Sequence, residues 1–505
     1  MCPTPEGPGG HRRSPAGDPP LAREEGPDAP QTHRRSAFRS VVGNTFWLVL
    51  GEFGSRLLAF FTFVHLAPTL LRAGQGMIDL GLTIFSFLSI VSRGGVEIRA
   101  VRIAARSRGS LGRLAGITVL LSAAYFLLLF LLLAATSVFF SPTQRQVVLL
   151  LAAAAALFPL ATRFAFVGRE ELGIVPISRI AAQGVFLVLC LLAVREPTHV
   201  SRVAFFWLGA TFLEVAINGA WFRARFGRIR FRIRPSRLWL WVRATFGLSL
   251  SRAARLLMTM IDVFALGLLV PEEQLGEYSV ANKIPMFAVM TAILVHTPIF
   301  PVVSRVIASG DRRRLSAIVA DTTWASLGAT IPPVLCLALV SEPLLLWLFT
   351  GEYQASIPLF EILLWKVPLV ALSSLFRTLV WAREPRLDTR LATLGLLASI
   401  VAVVLGITWA GTRGAAFGIL VGEGVLLVLY AKAAIPSVNP RALLSAQAGL
   451  ALAAALALVG AVALGTRGMS AERSIGVALL AAPVTAALAN LSFARRLWRE
   501  MRDRN

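Results

Sequence analysis

Leu114-Ala-Gly-Ile-Thr-Val-Leu-Leu-Ser-Ala-Ala-Tyr-Phe-Leu-Leu-Leu-Phe-Leu-Leu-Leu-Ala-Ala-Thr-Ser-Val-Phe-Phe140 contains no charged residue and follows directly on an arginine-rich stretch, Arg93 to Arg113. A bilayer's hydrocarbon core takes about 20 apolar residues as a helix, and this run is longer. The same alternation extends in both directions. About fourteen apolar stretches of spanning length can be read, at 40–66, 77–98, 112–140, 144–165, 173–194, 202–224, 244–270, 277–304, 315–340, 355–379, 389–411, 414–435, 441–465 and 474–496. Lipid offers no partner to a backbone N–H or C=O, so the spans must be helices unless the chain closes a barrel. The expected fold is an all-α integral membrane protein.

Most of the 50 Lys and Arg residues fall after every second span or at a terminus. The clusters are Arg93 to Arg113, Arg163 to Arg179, Arg223 to Arg243, Arg305 to Arg314, Arg377 to Arg390, Lys432 with Arg441, and Arg495 to Arg504. The intervening loops at Pro271 to Glu277 and Glu342 to Glu352 carry acids and no Lys or Arg. Positive charge stays on the cytoplasmic side. Both termini are therefore expected in the cytoplasm, with the chain multi-pass in the inner (cytoplasmic) membrane.

A net charge of +23 would ordinarily raise nucleic-acid binding. Here the charge sits in short loops between apolar spans, so it reads as a topology determinant and a contact for membrane lipids, with no nucleic-acid partner. Cys2, Cys190 and Cys336 are far apart, and His11, His33, His65, His199 and His296 show no ligand spacing, so neither a disulfide framework nor a metal is expected. The lysines, Lys283, Lys366 and Lys432, lie outside any Gly-Lys-Ser/Thr context, which excludes a P-loop. The outer loops have the length of simple connectors, too short for a catalytic domain. Transport without enzymatic activity or a cofactor is the expectation.

Residues 1–36 hold eight prolines and five glycines without apolar periodicity and read as a disordered cytoplasmic tail. The remaining units are an N-lobe at 37–224, a basic cytoplasmic linker at 225–243, a C-lobe at 244–435, two further spans at 436–496 and a tail at 497–505. In the linker, Arg228-Ile-Arg-Phe-Arg-Ile-Arg234 alternates with period two and is expected to be extended. The lobes repeat one another: Ser55-Arg56-Leu57-Leu58 aligns with Ala254-Arg255-Leu256-Leu257, and Gly74-Gln75-Gly76 with Glu273-Gln274-Leu275-Gly276 after one insertion. The repeat spacing is six spans, an even number. The two lobes of six helices therefore share an orientation and are related by a pseudo-twofold axis along the membrane normal. Spans 13 and 14 stand outside that repeat.

Arg255-Leu-Leu-Met-Thr-Met-Ile-Asp262-Val-Phe-Ala-Leu-Gly267, Gln274-Leu-Gly276-Glu-Tyr278-Ser-Val-Ala281-Asn-Lys283-Ile and Pro298-Ile-Phe-Pro301 with Gly310-Asp311 resemble the start of the C-lobe in polysaccharide-type flippases of the multidrug/oligosaccharidyl-lipid/polysaccharide exporter (MOP) superfamily. The span count, lobes and basic linker are similar across residues 40–496. The resemblance implies two helical bundles around a V-shaped cavity. It further implies movement of an undecaprenyl-diphosphate-linked oligosaccharide to the outer leaflet by alternating access, with a polymerase or glycosyltransferase of cell-envelope polysaccharide or peptidoglycan synthesis as partner class. The segment after span 1, Gly76-Met77-Ile78-Asp79, departs from the family's glycine-tyrosine-phenylalanine type by placing an acid there.

Ionisable groups at membrane depth cost about 2.5–3.5 kcal/mol each on insertion, so they pair or line water. Arg252, Arg255, Thr259 and Asp262 share one face of span 7, within about 80° at helical spacing. Glu52 and Arg56 stand at i and i+4 in span 1, where they can pair. Arg56 and Arg255 occupy equivalent repeat positions, and two guanidinium forks match a diphosphate. Arg56, Arg252, Arg255 and Lys283 are thus the candidate anion contacts. Glu52, Asp79, Asp262 and Glu423 are the candidates for conformational or ion coupling, with Asp262 expected to meet a cation on another helix. Glu361 and Lys366 cannot share one helix face, so one must address a neighbouring helix. A cation-coupled multidrug exporter would instead expect an acid-dominated cavity. A membrane-embedded enzyme or scaffold of polysaccharide assembly is the other alternative.

Overall fold

The computed structural model describes residues 31–106, 111–171, 173–231, 235–296, 299–434, 446–466 and 469–490, and among these every regular element is helical. The first half consists of α1 (Gln31–Arg106), α2 (Leu111–Thr136), α3 (Pro142–Ala154), α4 (Arg163–Gly168), α5 (Ile174–Ala193) and α6 (Val200–Phe226). The second half consists of α7 (Pro235–Leu269), α8 (Glu272–His296), α9 (Ile299–Ala308), α10 (Arg312–Leu339), α11 (Ser341–Phe349), α12 (Ser356–Leu364), α13 (Lys366–Arg383) and α14 (Pro385–Ala434). Two further helices follow, α15 (Ala446–Gly465) and α16 (Ala471–Ala489). Nine helices among the described residues are long and apolar enough to cross a membrane, and α1 and α14 each hold two of the apolar stretches read above.

Those two long helices are interrupted where the chain reverses. In α1 the break is at Leu71, with φ 59°, the left-handed region that costs a branched side chain. In α14 it falls at Gly411, φ 57°, where a glycine takes that conformation freely. Other boundaries are written locally: Pro142 opens α3 behind Ser141, whose hydroxyl accepts from the Gln144 N–H at 3.3 Å.

Two stretches are more helical than their sequence implied. Helix α1 starts at Gln31, because Pro30 is the last proline of the tail; residues 1–30 and 497–505 lie outside the described residues. Helix α6 runs to Phe226 and α7 starts at Pro235, a residue suited to a first helical turn. Only part of 225–243 is therefore non-helical. Its segment from Gly227 to Phe231 has no regular structure and runs along α2, with the Arg230 N–H donating to the Gly112 carbonyl at 2.9 Å; the rest of the run expected to be extended, Arg232 to Arg234, lies outside the described residues.

The lobes meet through α1 against α7 and α8. A Cβ added at Gly76 would strike the Glu272 carbonyl oxygen, and one added at Gly276 would strike the Arg72 carbonyl oxygen. Each residue is four positions beyond the carbonyl that its counterpart meets, the reciprocity expected of a pseudo-twofold axis. At this turn end the lobes share one apolar core that includes Ala67, Leu80, Leu266, Tyr278 and Phe349. At the opposite, linker end the core around Ala100, Phe164 and Phe222 also takes in Trp241 of α7, while a second core surrounds Met258, Val306 and Leu379. Helices α15 and α16 pack on α10, outside the interlobe contact.

Candidate functional site

Polar contacts fall into three groups, of which the first crosses the interlobe seam. The turn end is closed by Arg72 on Glu277 at 2.8 Å, by Ser141 Oγ on Glu272 at 2.6 Å and by the Tyr353 hydroxyl on the Ala67 carbonyl at 2.8 Å. The hydrogen bond to Glu277 also holds the Arg72 guanidinium above its ordinary pKa. Lys283 of α8 joins this closure, 2.7 Å from Asp79 of α1 and 4.1 Å from the centre of the Phe63 ring. The acid that departs from the family pattern and the lysine grouped with the arginines are thus partners across the seam.

Arg56 and Arg255 each meet a carboxylate of their own lobe. In the N-lobe, Glu52 accepts Arg56 on Oε1 and Arg179 of α5 on Oε2, both at 2.8 Å. In the C-lobe, Asp388 of α14 accepts Arg255 on Oδ2 at 3.4 Å, and accepts Arg377 at 3.1 Å and the Tyr430 hydroxyl at 2.7 Å on Oδ1. Asp388 is 2 % exposed, while the arginines around these two acids keep roughly a third of their side chains accessible. The i, i+4 pairing of Glu52 with Arg56 is as the spacing implied.

A cationic belt connects the two clusters through the linker-end half. Arg163 is within electrostatic reach of Glu52 and Arg93, Arg93 of Arg252, and Arg252 of Arg255. Arg252 lies against Gly94, and beside it the Gly95 N–H donates to Ser249 Oγ at 3.0 Å. Arg93 is partly balanced by Glu97 at 3.9 Å and stacks over the Phe158 ring at 4.7 Å. The belt lies at the linker end, where α7 packs directly on α1, so a change in the contact between the two halves acts on it directly.

Asp262 belongs to a third group, inside the C-lobe. It is fully buried and meets Lys366 of α13 at 3.2 Å and the Tyr278 hydroxyl at 2.8 Å. Glu423 is also buried, close enough to interact with both Lys366 and Asp262, and its Oε2 finds no hydrogen-bond partner among the described residues. A helix break at Trp365 separates Glu361, which accepts from Ser341 Oγ at 2.6 Å, from Lys366. Among the described residues no group of His, Cys, Asp and Glu could hold a metal ion.

Arg163, Arg179 and Arg377 stand in the clusters that positive-inside counting reads as topology determinants, Arg93 also lies on a polar stripe of span 2 with Asp79, Thr83 and Ser86, and Asp388 is not among the candidates. All lie in or beside the basic clusters that positive-inside counting uses up. The available signal was depth: Arg179 stands beyond the first turn of α5, too far in to be a flanking charge.

The family model for polysaccharide biosynthesis proteins matches residues 41–307, more than half of the chain, and the MatE family model matches residues 248–408. No curated protein matches the sequence. Among solved structures, the lipid II flippase MurJ in an inward closed conformation superposes with a TM-score of 0.73 at 11% identity, covering 89% of this chain and 99% of that one. An inward-facing multidrug resistance MATE family transporter of the MOP superfamily gives 0.58 at 15% identity, covering 76% and 92%. A MOP superfamily transporter from Pyrococcus furiosus gives 0.54 at 15% identity, covering 77% and 93%. These likenesses carry the fold, and the family match carries membership: the chain belongs to the polysaccharide biosynthesis protein family.

Proposed function

We propose that this protein moves an undecaprenyl-diphosphate-linked oligosaccharide from the cytoplasmic to the outer leaflet by alternating access, for cell-envelope polysaccharide or peptidoglycan synthesis, and is not an enzyme. The observation that carries the reading is the arginine belt between Glu52 and Asp388, which crosses from one lobe to the other at the linker end, where α7 packs on α1. Guanidinium forks suit phosphate oxygens, and desolvation between lobes strengthens each contact. Arg56, Arg252 and Arg255 are the anion contacts in this reading. Lys283 with Asp79 acts in the turn-end closure, and Asp262 with Glu423 forms the buried group that responds to conformation or to a coupling ion. A multidrug exporter for cationic drugs would have acids where this belt has arginines.

The purified protein in liposomes is expected to transfer a fluorescent undecaprenyl-diphosphate oligosaccharide across the bilayer, read as its accessibility to an external quencher. Movement of a cationic dye without movement of the lipid-linked sugar would overturn the reading in favour of drug export. The proposed orientation places both termini in the cytoplasm and the turn end outside. Reporter fusions after Arg72, Glu273 and Glu352 should then register the outer side, and cytoplasmic signals at two of them would refute it.

A further inference from the structure

The two lobes solve one problem the same way with different helices. In the N-lobe the shared carboxylate, Glu52, stands on α1 and the second arginine, Arg179, on α5. In the C-lobe the carboxylate, Asp388, stands on α14 and the second arginine, Arg377, on α13. In each case one carboxylate oxygen takes the arginine of the lobe's first helix and the other takes the second arginine. The repeat aligns Arg56 with Arg255 but does not align the acids, so the arrangement is not a by-product of sequence repetition.

We infer that Glu52 and Asp388 are resident anions that hold Arg56 and Arg255 until a diphosphate takes them, and that Arg179 and Arg377 keep each displaced carboxylate paired. Breaking a buried ion pair is costly because it strands an uncompensated charge. Here the exchange strands nothing. When Arg56 turns to a phosphate, Glu52 Oε2 retains Arg179; when Arg255 does so, Asp388 Oδ1 retains Arg377 and Tyr430. Arg179 and Arg377 are then positioning residues that act through the carboxylate. This inference rests on the reading of Arg56 and Arg255 as diphosphate contacts.

The test is a double-mutant cycle on binding of undecaprenyl diphosphate to the purified full-length protein, with undecaprenol as the uncharged control. Glu52→Gln should tighten diphosphate binding on the order of tenfold by removing the competing anion, and Arg179→Gln should weaken it by a similar factor because Glu52 then clings to Arg56 alone. In the Glu52→Gln background, Arg179→Gln should change affinity less than about twofold, since its effect passes through the missing carboxylate. Undecaprenol binding should not move. Asp388→Asn with Arg377→Gln repeats the cycle in the other lobe, where Tyr430 still offers the amide a partner if the first pair folds poorly. Additive effects would mean simple through-space charge, and a large loss from Arg179→Gln in the Glu52→Gln background would mean direct contact with the ligand. Either result overturns the inference while leaving the diphosphate reading intact. Failure of the wild-type protein to bind undecaprenyl diphosphate more tightly than undecaprenol would sink the diphosphate reading itself.

Discussion

Arg255→Ala is expected to abolish transport of the lipid-linked oligosaccharide while the protein accumulates in the membrane at near wild-type level. The two halves of this expectation have separate causes. Losing a desolvated charge contact to a phosphate costs about 2–5 kcal/mol, well over tenfold in affinity. Abundance is preserved because Asp388 keeps Arg377 at 3.1 Å and the Tyr430 hydroxyl at 2.7 Å, so no buried carboxylate is orphaned. Arg255→Lys should also impair transport, since an ammonium cannot reproduce the bidentate fork. Arg56→Ala should behave alike, because Glu52 retains Arg179. If these arginines serve packing instead, the alanine variants will be scarce and the surviving molecules will transport normally. Transport normalised to membrane protein separates the outcomes, and near wild-type turnover per molecule in both variants would remove the diphosphate contact.

The second large effect is on stability. Lys366→Met should destabilise the C-lobe by about 3–5 kcal/mol, a large part of a membrane domain's margin, because it leaves Asp262 buried beside Glu423 with no cation between them. Asp262→Asn should be milder, since the freed ammonium still faces the Glu423 carboxylate. Neutralising both, in Asp262→Asn with Lys366→Met, should recover most of the loss, because exchanging a buried pair for neutral groups of similar volume is commonly near neutral. Thermal unfolding of the purified protein, followed by retention of the monodisperse peak, reads all three. Lys366→Met melting at the wild-type temperature would show that no charged pair is maintained there. In a transporter that cycles, Asp262→Asn should in addition shift the balance between inward and outward accessibility while leaving substrate affinity within a few-fold.

The ion pairs differ in how far the sequence reveals them. Glu52 with Arg56 is local, an i, i+4 spacing on one helix, and was readable from the chain. Asp262 announced itself as a charge at membrane depth in need of a cation, yet its partner lies 104 residues away on α13. Asp388 was hidden for another reason. It stands in a run that also contains Arg377, Arg383, Arg386 and Arg390, where an acid between basic residues at a membrane boundary has the appearance of a solvated loop. The structure instead buries Asp388 in the first turn of α14 against Tyr430.

The sequence alone determined the solvent of each segment, and through it the fold class. Uncharged runs of spanning length must be helices in lipid, and the arginine clusters between them set an orientation; both are local properties of composition. The even spacing of the repeat likewise implied two lobes about an axis along the membrane normal, and the reciprocal contacts of Gly76 and Gly276 have that geometry. Which charges meet was decided only by tertiary structure. A guanidinium reaches its carboxylate within about 3 Å, whereas helix packing places residues from distant parts of the chain side by side in ways that a span's own periodicity does not encode. Arg255 on Asp388, Lys283 on Asp79 and Lys366 on Asp262 join residues 133, 204 and 104 positions apart. Each exists because two helices cross at one depth, and depth and crossing belong to the folded bundle.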